Sequence, residues 1–158
     1  MNQQDATAVA QDYITLQNQD TPFHPEYEYE VAAPDEYFDC WYFDYRIVSR
    51  LGVPENEQEL FAGAPGFTVS KANGSITVIS WDVQRKLPQR EALFQKFSIL
   101  ADTLTSSKLD VRMLRKHFTT PLAELAQFKH SLDAPSLTQL QKKELLISQL
   151  MQEAELPL

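Results

Sequence analysis

An α+β fold is the architecture that this 158-residue sequence predicts: an N-terminal helix on a small antiparallel meander of about four strands, followed by a C-terminal helical bundle. Three features point to it. Apolar residues recur at helical spacing near the N-terminus, alternate with polar ones from about residue 26, and return to helical spacing from about 89. Together they predict an α+β domain over 1–87 and a helical extension over 88–158.

In "DATAVAQDYITLQ" the residues Ala6, Val9, Ala10, Tyr13 and Ile14 share one stripe, with Leu16 at its margin and Asp5 as N-cap or first-turn acid. This predicts a helix over about 5–18, broken by the turn chemistry of "NQDTPFHP". Alternation in "EYEYEV" sends Tyr27, Tyr29 and Val31 to one face and Glu26, Glu28 and Glu30 to the other, until Pro34 ends the strand. From Phe38 to Val48 a second alternating run groups Trp41, Phe43, Tyr45 and Ile47 as a core face. Cys40, Tyr42, Asp44, Arg46 and Val48 then form a wet face.

"GVPENEQELFAGAPG" reads as a connection with a short helical turn at 55–61. In "FTVSKANGSITVISW" the Asn73-Gly74 pair between β-branched runs predicts a two-residue type I′ hairpin, because both central positions need positive φ. Beyond it, Leu93, Phe94, Phe97, Leu100 and Leu104, then Val111, Met113, Leu114 and Phe118, then Leu122, Leu125, Phe128 and Leu132 follow helical spacing. Leu137, Leu140, Ile147 and Met151 mark a last helix, which Ser136 and Gln139 open as a capping box. Pro88, Pro121 and Pro135 stand where helix starts are expected.

Charge is divided unevenly. Residues 1–88 carry 14 acidic and 5 basic side chains, whereas residues 89–158 carry 8 and 9. An acidic field of this kind repels phosphate backbones and anionic lipid and attracts basic surfaces, so neither nucleic acid nor membrane is an expected partner. Cys40 is the single cysteine, which excludes an internal disulfide; with no signal-like or membrane-spanning apolar run, a cytoplasmic address is expected.

Catalytic groups do not converge in the sequence. His24, His117 and His130 show no metal-ligand spacing, the glycines form no phosphate cradle, and Cys40 lacks the local signature of a nucleophile. Arg112, Arg115, Lys116 and His117 on a predicted helix read as a solvated face or a partner of the chain's own acidic sheet, ahead of a phosphate contact. The expectation is therefore a protein that is not an enzyme and holds neither cofactor nor metal.

"EYEYEVAAPDEYFDCWYFDYR", residues 26–46, sets eight aromatic rings among seven carboxylates. Trp41, Phe43 and Tyr45 belong to a core, which leaves Tyr37, Phe38 and Tyr42 as rings in or beside a turn and on the polar strand face. Rigid rings beside carboxylates have the character of a protein-binding surface, in which aromatics anchor and charges speed encounter. The candidate partner-binding residues are Glu26, Glu28, Glu30, Asp35, Glu36, Tyr37, Phe38, Asp39, Tyr42 and Asp44.

The opening helix "DATAVAQDYI", the strand "CWYFDYR" and the run "LFAGAPGFTVSKANGSITVIS" resemble the YrhB-like immunity-protein domain over residues 5–83. Ala64, Pro65 and Ser70 depart from that pattern in the turns, and the helical half lies outside it. The resemblance implies an immunity protein that neutralises a cognate bacterial toxin by direct binding, and the acidic charge adds the expectation that it occludes an active site in a basic cleft. Two other classes stay open. One is a chaperone or adaptor that holds an effector on the C-terminal helical stripes; the other is an enzyme that reverses a toxin's modification with a carboxylate-bound cation.

Overall fold

The computed structural model describes residues 1–20, 22, 24–57, 63–107 and 109–154. They form two compact units, Met1–Pro88 and Gln89–Leu158. The first is mixed α+β and the second is helical.

Helix α1 spans Gln3–Asp20, longer at both ends than the apolar stripe suggests. Asn2 starts it, its Oδ1 accepting the Asp5 N–H at 2.9 Å, and Asp5 stands in the first turn. The expected break at "NQDTPFHP" therefore falls three residues late, because Asn18, Gln19 and Asp20 remain helical. Ala6, Ala10 and Ile14 are buried against Trp41, Phe43, Phe67 and Val69, with Val9, Tyr13, Tyr29 and Tyr45 packed around them. Leu16 is exposed.

Among the described residues, six strands make two antiparallel sheets. Strands β1 (Tyr27–Val31) and β4 (Tyr45–Ser49) form a pair, while β2 (Asp35–Glu36), β3 (Cys40–Phe43), β5 (Phe67–Ser70) and β6 (Ile76–Val78) form a four-stranded sheet in that order. The single run expected from Phe38 to Val48 is thus two strands in different sheets. Asp44 divides them: its carboxylate accepts the Tyr45 N–H at 2.8 Å, a local bond, and its carbonyl accepts the Ala32 N–H at 3.2 Å, which carries the chain over to the pairing with β1.

The expected wet face of β3 is also dry. Cys40 and Tyr42 are buried in a second cluster with Ile79 and Leu87, and Tyr37 and Val83 pack against it. Alternation in β3 therefore separates two apolar environments rather than core from solvent. One faces α1 and the other faces the start of helix α2 (Trp81–Thr105).

The hairpin between β5 and β6 has a four-residue loop, Lys71 to Gly74, instead of the expected two-residue type I′ turn. Ser70 N–H donates to the Ser75 carbonyl and Gly74 N–H to the Ser70 carbonyl, both at 2.9 Å. Lys71 explains the widening, because its N–H is engaged by the Asp39 carbonyl at 2.9 Å and is drawn toward the β2–β3 connection. Gly74 does take the left-handed conformation, at φ +72°. In the preceding connection one 3-10 turn spans Glu55–Glu57, and the remainder of the helical turn expected to 61 lies outside the described residues.

Helix α2 starts seven residues before Pro88, capped by the Ser80 hydroxyl, which accepts the Val83 N–H at 3.3 Å. Pro88 is interior to the helix and withholds the donor that the Gln84 carbonyl would otherwise receive. Helices α3 (Val111–Arg115), α4 (Leu122–Leu132) and α5 (Gln139–Glu153) follow. Pro121 is the residue before α4, as a helix start requires. The capping box of α5 is Thr138 with Gln141, two residues beyond the expected Ser136 and Gln139; the S/T-x-x-Q pattern fits both registers, and the helix uses the later one. Ala101, Leu104, Leu114, Phe118, Leu125, Leu132, Leu146, Ile147 and Leu150 form the core of this unit. Leu140, expected on the buried stripe, is exposed, and Leu146 and Leu150 take the interior positions. Among the described residues no helix is long and apolar enough to cross a membrane.

Candidate protein-binding surface

The acidic side chains of residues 26–44 are distributed over both sheets. Glu28 and Glu30 project from β1 and meet the cations of the neighbouring strand and turn: Arg50 Nε lies 3.4 Å from Glu28, and Arg46 Nη1 lies 4.0 Å from Glu30. Glu26, just ahead of β1, is exposed, and its backbone carbonyl accepts the Arg50 N–H at 2.8 Å. Asp35 and Glu36 are exposed on β2, opposite Tyr42 and Trp41 of β3. Lys71 Nζ sits 2.8 Å from Glu36 Oε1 and 5.0 Å from the Trp41 ring centre, joining the hairpin loop to β2. Asp44 is exposed at the junction of the two sheets.

The rings divide differently. Tyr37 and Phe38 are half-buried in the β2–β3 turn, where the Tyr37 N–H donates to the Cys40 carbonyl at 2.9 Å. Tyr42 is only 5% exposed, so it does not stand on an open polar face; its hydroxyl accepts from the Gln84 side-chain amide at 2.6 Å. Burial, with the nearby Asp44 charge adding to it, pushes the Tyr42 phenol up to about 12, against the opposing effect of the Gln84 bond. Burial likewise raises the Tyr45 phenol, and hydrogen bonding with Tyr13 adds to the rise. Asp39 is half-buried and holds Lys71 through its carbonyl.

All five lysine and arginine side chains of the first unit, Arg46, Arg50, Lys71, Arg85 and Lys86, lie within 4.0 Å of a carboxylate of the same unit. Exposed pairs of this kind add little stability. Their consequence is electrostatic. The positive charge is consumed locally by Glu28, Glu30, Glu36 and Asp82, while Glu26, Asp35 and Asp44 project into solvent from the same unit.

Sequence reasoning missed Asn18, which sits among the expected turn residues. Its side chain bonds the backbone of Tyr29 twice: the Tyr29 N–H donates to Oδ1 at 2.9 Å and Nδ2 donates to the Tyr29 carbonyl at 2.8 Å. It missed Gln84 as well, and no spacing in the chain announces either contact. No protein-family model, no curated protein and no solved structure matches the chain.

Proposed function

We propose that this chain is an immunity protein, a stoichiometric inhibitor that neutralises a cognate bacterial toxin by binding it and covering a basic active-site cleft. The observation that carries the reading is the internal pairing of every lysine and arginine side chain in an acidic α+β unit. What is left over is a negative field with Glu26, Asp35 and Asp44 exposed and the Tyr37 and Phe38 rings half-exposed beside it. Such a surface steers toward a cationic cleft and supplies aromatic anchors on arrival. The resemblance of residues 5–83 to immunity domains supports the same reading.

Co-expression with the product of the adjacent reading frame tests it. The expected result is protection that saturates at about one copy per toxin. A variant carrying Glu26→Lys, Asp35→Lys and Asp44→Asn is expected to associate at least tenfold more slowly at low salt, with its melting curve little changed. An adjacent product that harms no cells, or protection at far below one copy per toxin, would remove the proposal.

A further inference from the structure

The outer edge of β1 is the most specific feature of the acidic unit. In the β1–β4 register, Arg50 N–H donates to the Glu26 carbonyl and Ala32 N–H to the Asp44 carbonyl. An antiparallel ladder bonds alternate residues, so Glu28 and Glu30 also point their backbone groups at β4. Tyr27, Tyr29 and Val31 therefore point theirs the other way, to the edge away from β4. At Tyr29 the Asn18 carboxamide occupies that edge with the donor and acceptor pair that a neighbouring strand would offer.

Beside this edge lies an open groove of about 820 Å³ between the second half of α1 and β1, whose lining includes Asp12, Thr15, Asn18 and Val31. Its charged residues are Asp12, Glu28, Glu30 and Arg50, and Arg50 is already paired with Glu28. Arg46 likewise pairs with Glu30, so the surplus negative charge of the lining is that of Asp12. A strand edge in a negative groove selects an extended segment whose side chains carry positive charge.

From this register and this lining, we infer that the α1–β1 groove receives an extended lysine- or arginine-bearing segment of the partner, which adds as a strand along the outer edge of β1 at Val31 and takes over the Tyr29 pairing from Asn18. The inference rests on the inhibitor reading and names the part of the toxin that is held. Asn18 then acts as a placeholder: it keeps the edge from pairing with other chains until a matching segment arrives.

The test uses the full chain and three hexapeptide probes: alternating Lys and Thr, alternating Glu and Thr, and the Lys-Thr peptide with its backbone N-methylated. NMR is expected to show the Lys-Thr peptide shifting the Val31 backbone amide and the Asn18 side-chain amide, with Val31 hydrogen exchange slowed at least tenfold. The other two peptides are expected to leave both signals in place. Val31→Pro removes the outward donor while sparing the β4 ladder, and Asp12→Lys reverses a wall charge; each is expected to weaken Lys-Thr binding at least tenfold. Should Val31→Pro fail to fold, Asp12→Lys and the N-methylated peptide decide alone. Equal binding of the N-methylated peptide, or shifts at the acidic residues with Val31 unmoved, would overturn strand addition. That outcome leaves the one-to-one inhibitor standing, since protection against the toxin is measured separately.

Discussion

The Gln84 side-chain amide donates to the Tyr42 hydroxyl at 2.6 Å, tying the first turn of α2 to the middle of β3. The phenol is buried and its pKa is raised to about 12 from an ordinary value of 10. A group whose folded pKa is raised contributes stability that is present below the unfolded pKa and is lost as pH climbs through the folded one. Urea unfolding should therefore show a stability that is level below pH 10 and declines between pH 10 and about 12. Tyr42→Phe is expected to cost about 1 kcal/mol at neutral pH and to lessen that alkaline decline, the remainder coming from the buried Tyr45 phenol. Identical alkaline slopes in the two proteins would show that the phenol ionises at the same pH folded and unfolded, so that burial does not raise it.

Two glycines share a left-handed backbone and differ in surroundings. Gly52 has φ +70° with open space around the position of a Cβ, while Gly66 has φ +71° with the Phe43 carbonyl 2.3 Å and the Tyr42 ring 2.9 Å from it. Gly52→Ala is expected to cost about 1 kcal/mol from backbone conformation alone. Gly66→Ala adds a collision with main chain and is expected to cost about 3 kcal/mol or more, since β3 has to shift. Chemical denaturation of both variants checks the ranking, and equal losses would contradict the packing at Phe43.

Glu153, at the end of α5, accepts four hydrogen bonds from the segment that leads into α4. Oε2 takes the Thr119 N–H at 2.7 Å and hydroxyl at 2.9 Å, and Oε1 takes the Thr120 N–H at 3.1 Å and its hydroxyl. Desolvation raises this carboxyl, but the bonds from Thr120 and Thr119 together outweigh it and hold it below the ordinary glutamate value. The stability it contributes is present above the unfolded pKa and is lost as pH falls through the folded one. Glu153→Ala is expected to destabilise the helical unit by about 1–3 kcal/mol at pH 7. Below the ordinary glutamate range the gap between variant and parent should shrink; a gap that is constant with pH would assign the loss to packing.

At Asn18 the two bonds to Tyr29 can be separated chemically. Asn18→Ala removes both and is expected to cost about 1–2 kcal/mol. Asn18→Asp still accepts from the Tyr29 N–H but sets a carboxylate oxygen against the Tyr29 carbonyl, so it is expected to be at least as destabilising above pH 5 and to recover when protonated. Thermal melts at pH 4 and pH 7 compare them. A variant Asn18→Asp as stable as the parent at pH 7 would mean that the Nδ2 bond contributes nothing.

Elements with a clean period are legible in the sequence alone. Ala6, Ala10 and Ile14 pack as the helical stripe implies, Tyr27 is buried as its alternation implies, and the C-terminal leucines and phenylalanines form helices. Where a second surface intrudes, the local pattern misleads. Cys40 and Tyr42 alternate like solvent-facing residues, yet Ile79 and Leu87 come from far along the chain to bury them. Asn73-Gly74 carries the dipeptide of a tight turn, yet the Asp39 carbonyl holds Lys71 and widens it. Asn18, Gln84 and Glu153 were illegible for the same reason: each side chain satisfies main chain or hydroxyl groups between 11 and 42 positions away.

The internal commitment of Arg46, Arg50, Lys71, Arg85 and Lys86 also governs how two identical molecules meet. Each approaching copy shows the other mostly like charge from this unit, whose lysine and arginine side chains are already engaged. Mutual repulsion of this sort keeps a molecule dispersed at low ionic strength and fades as salt shortens its range. The same economy of charge that would draw in a cationic stranger thus keeps kin apart.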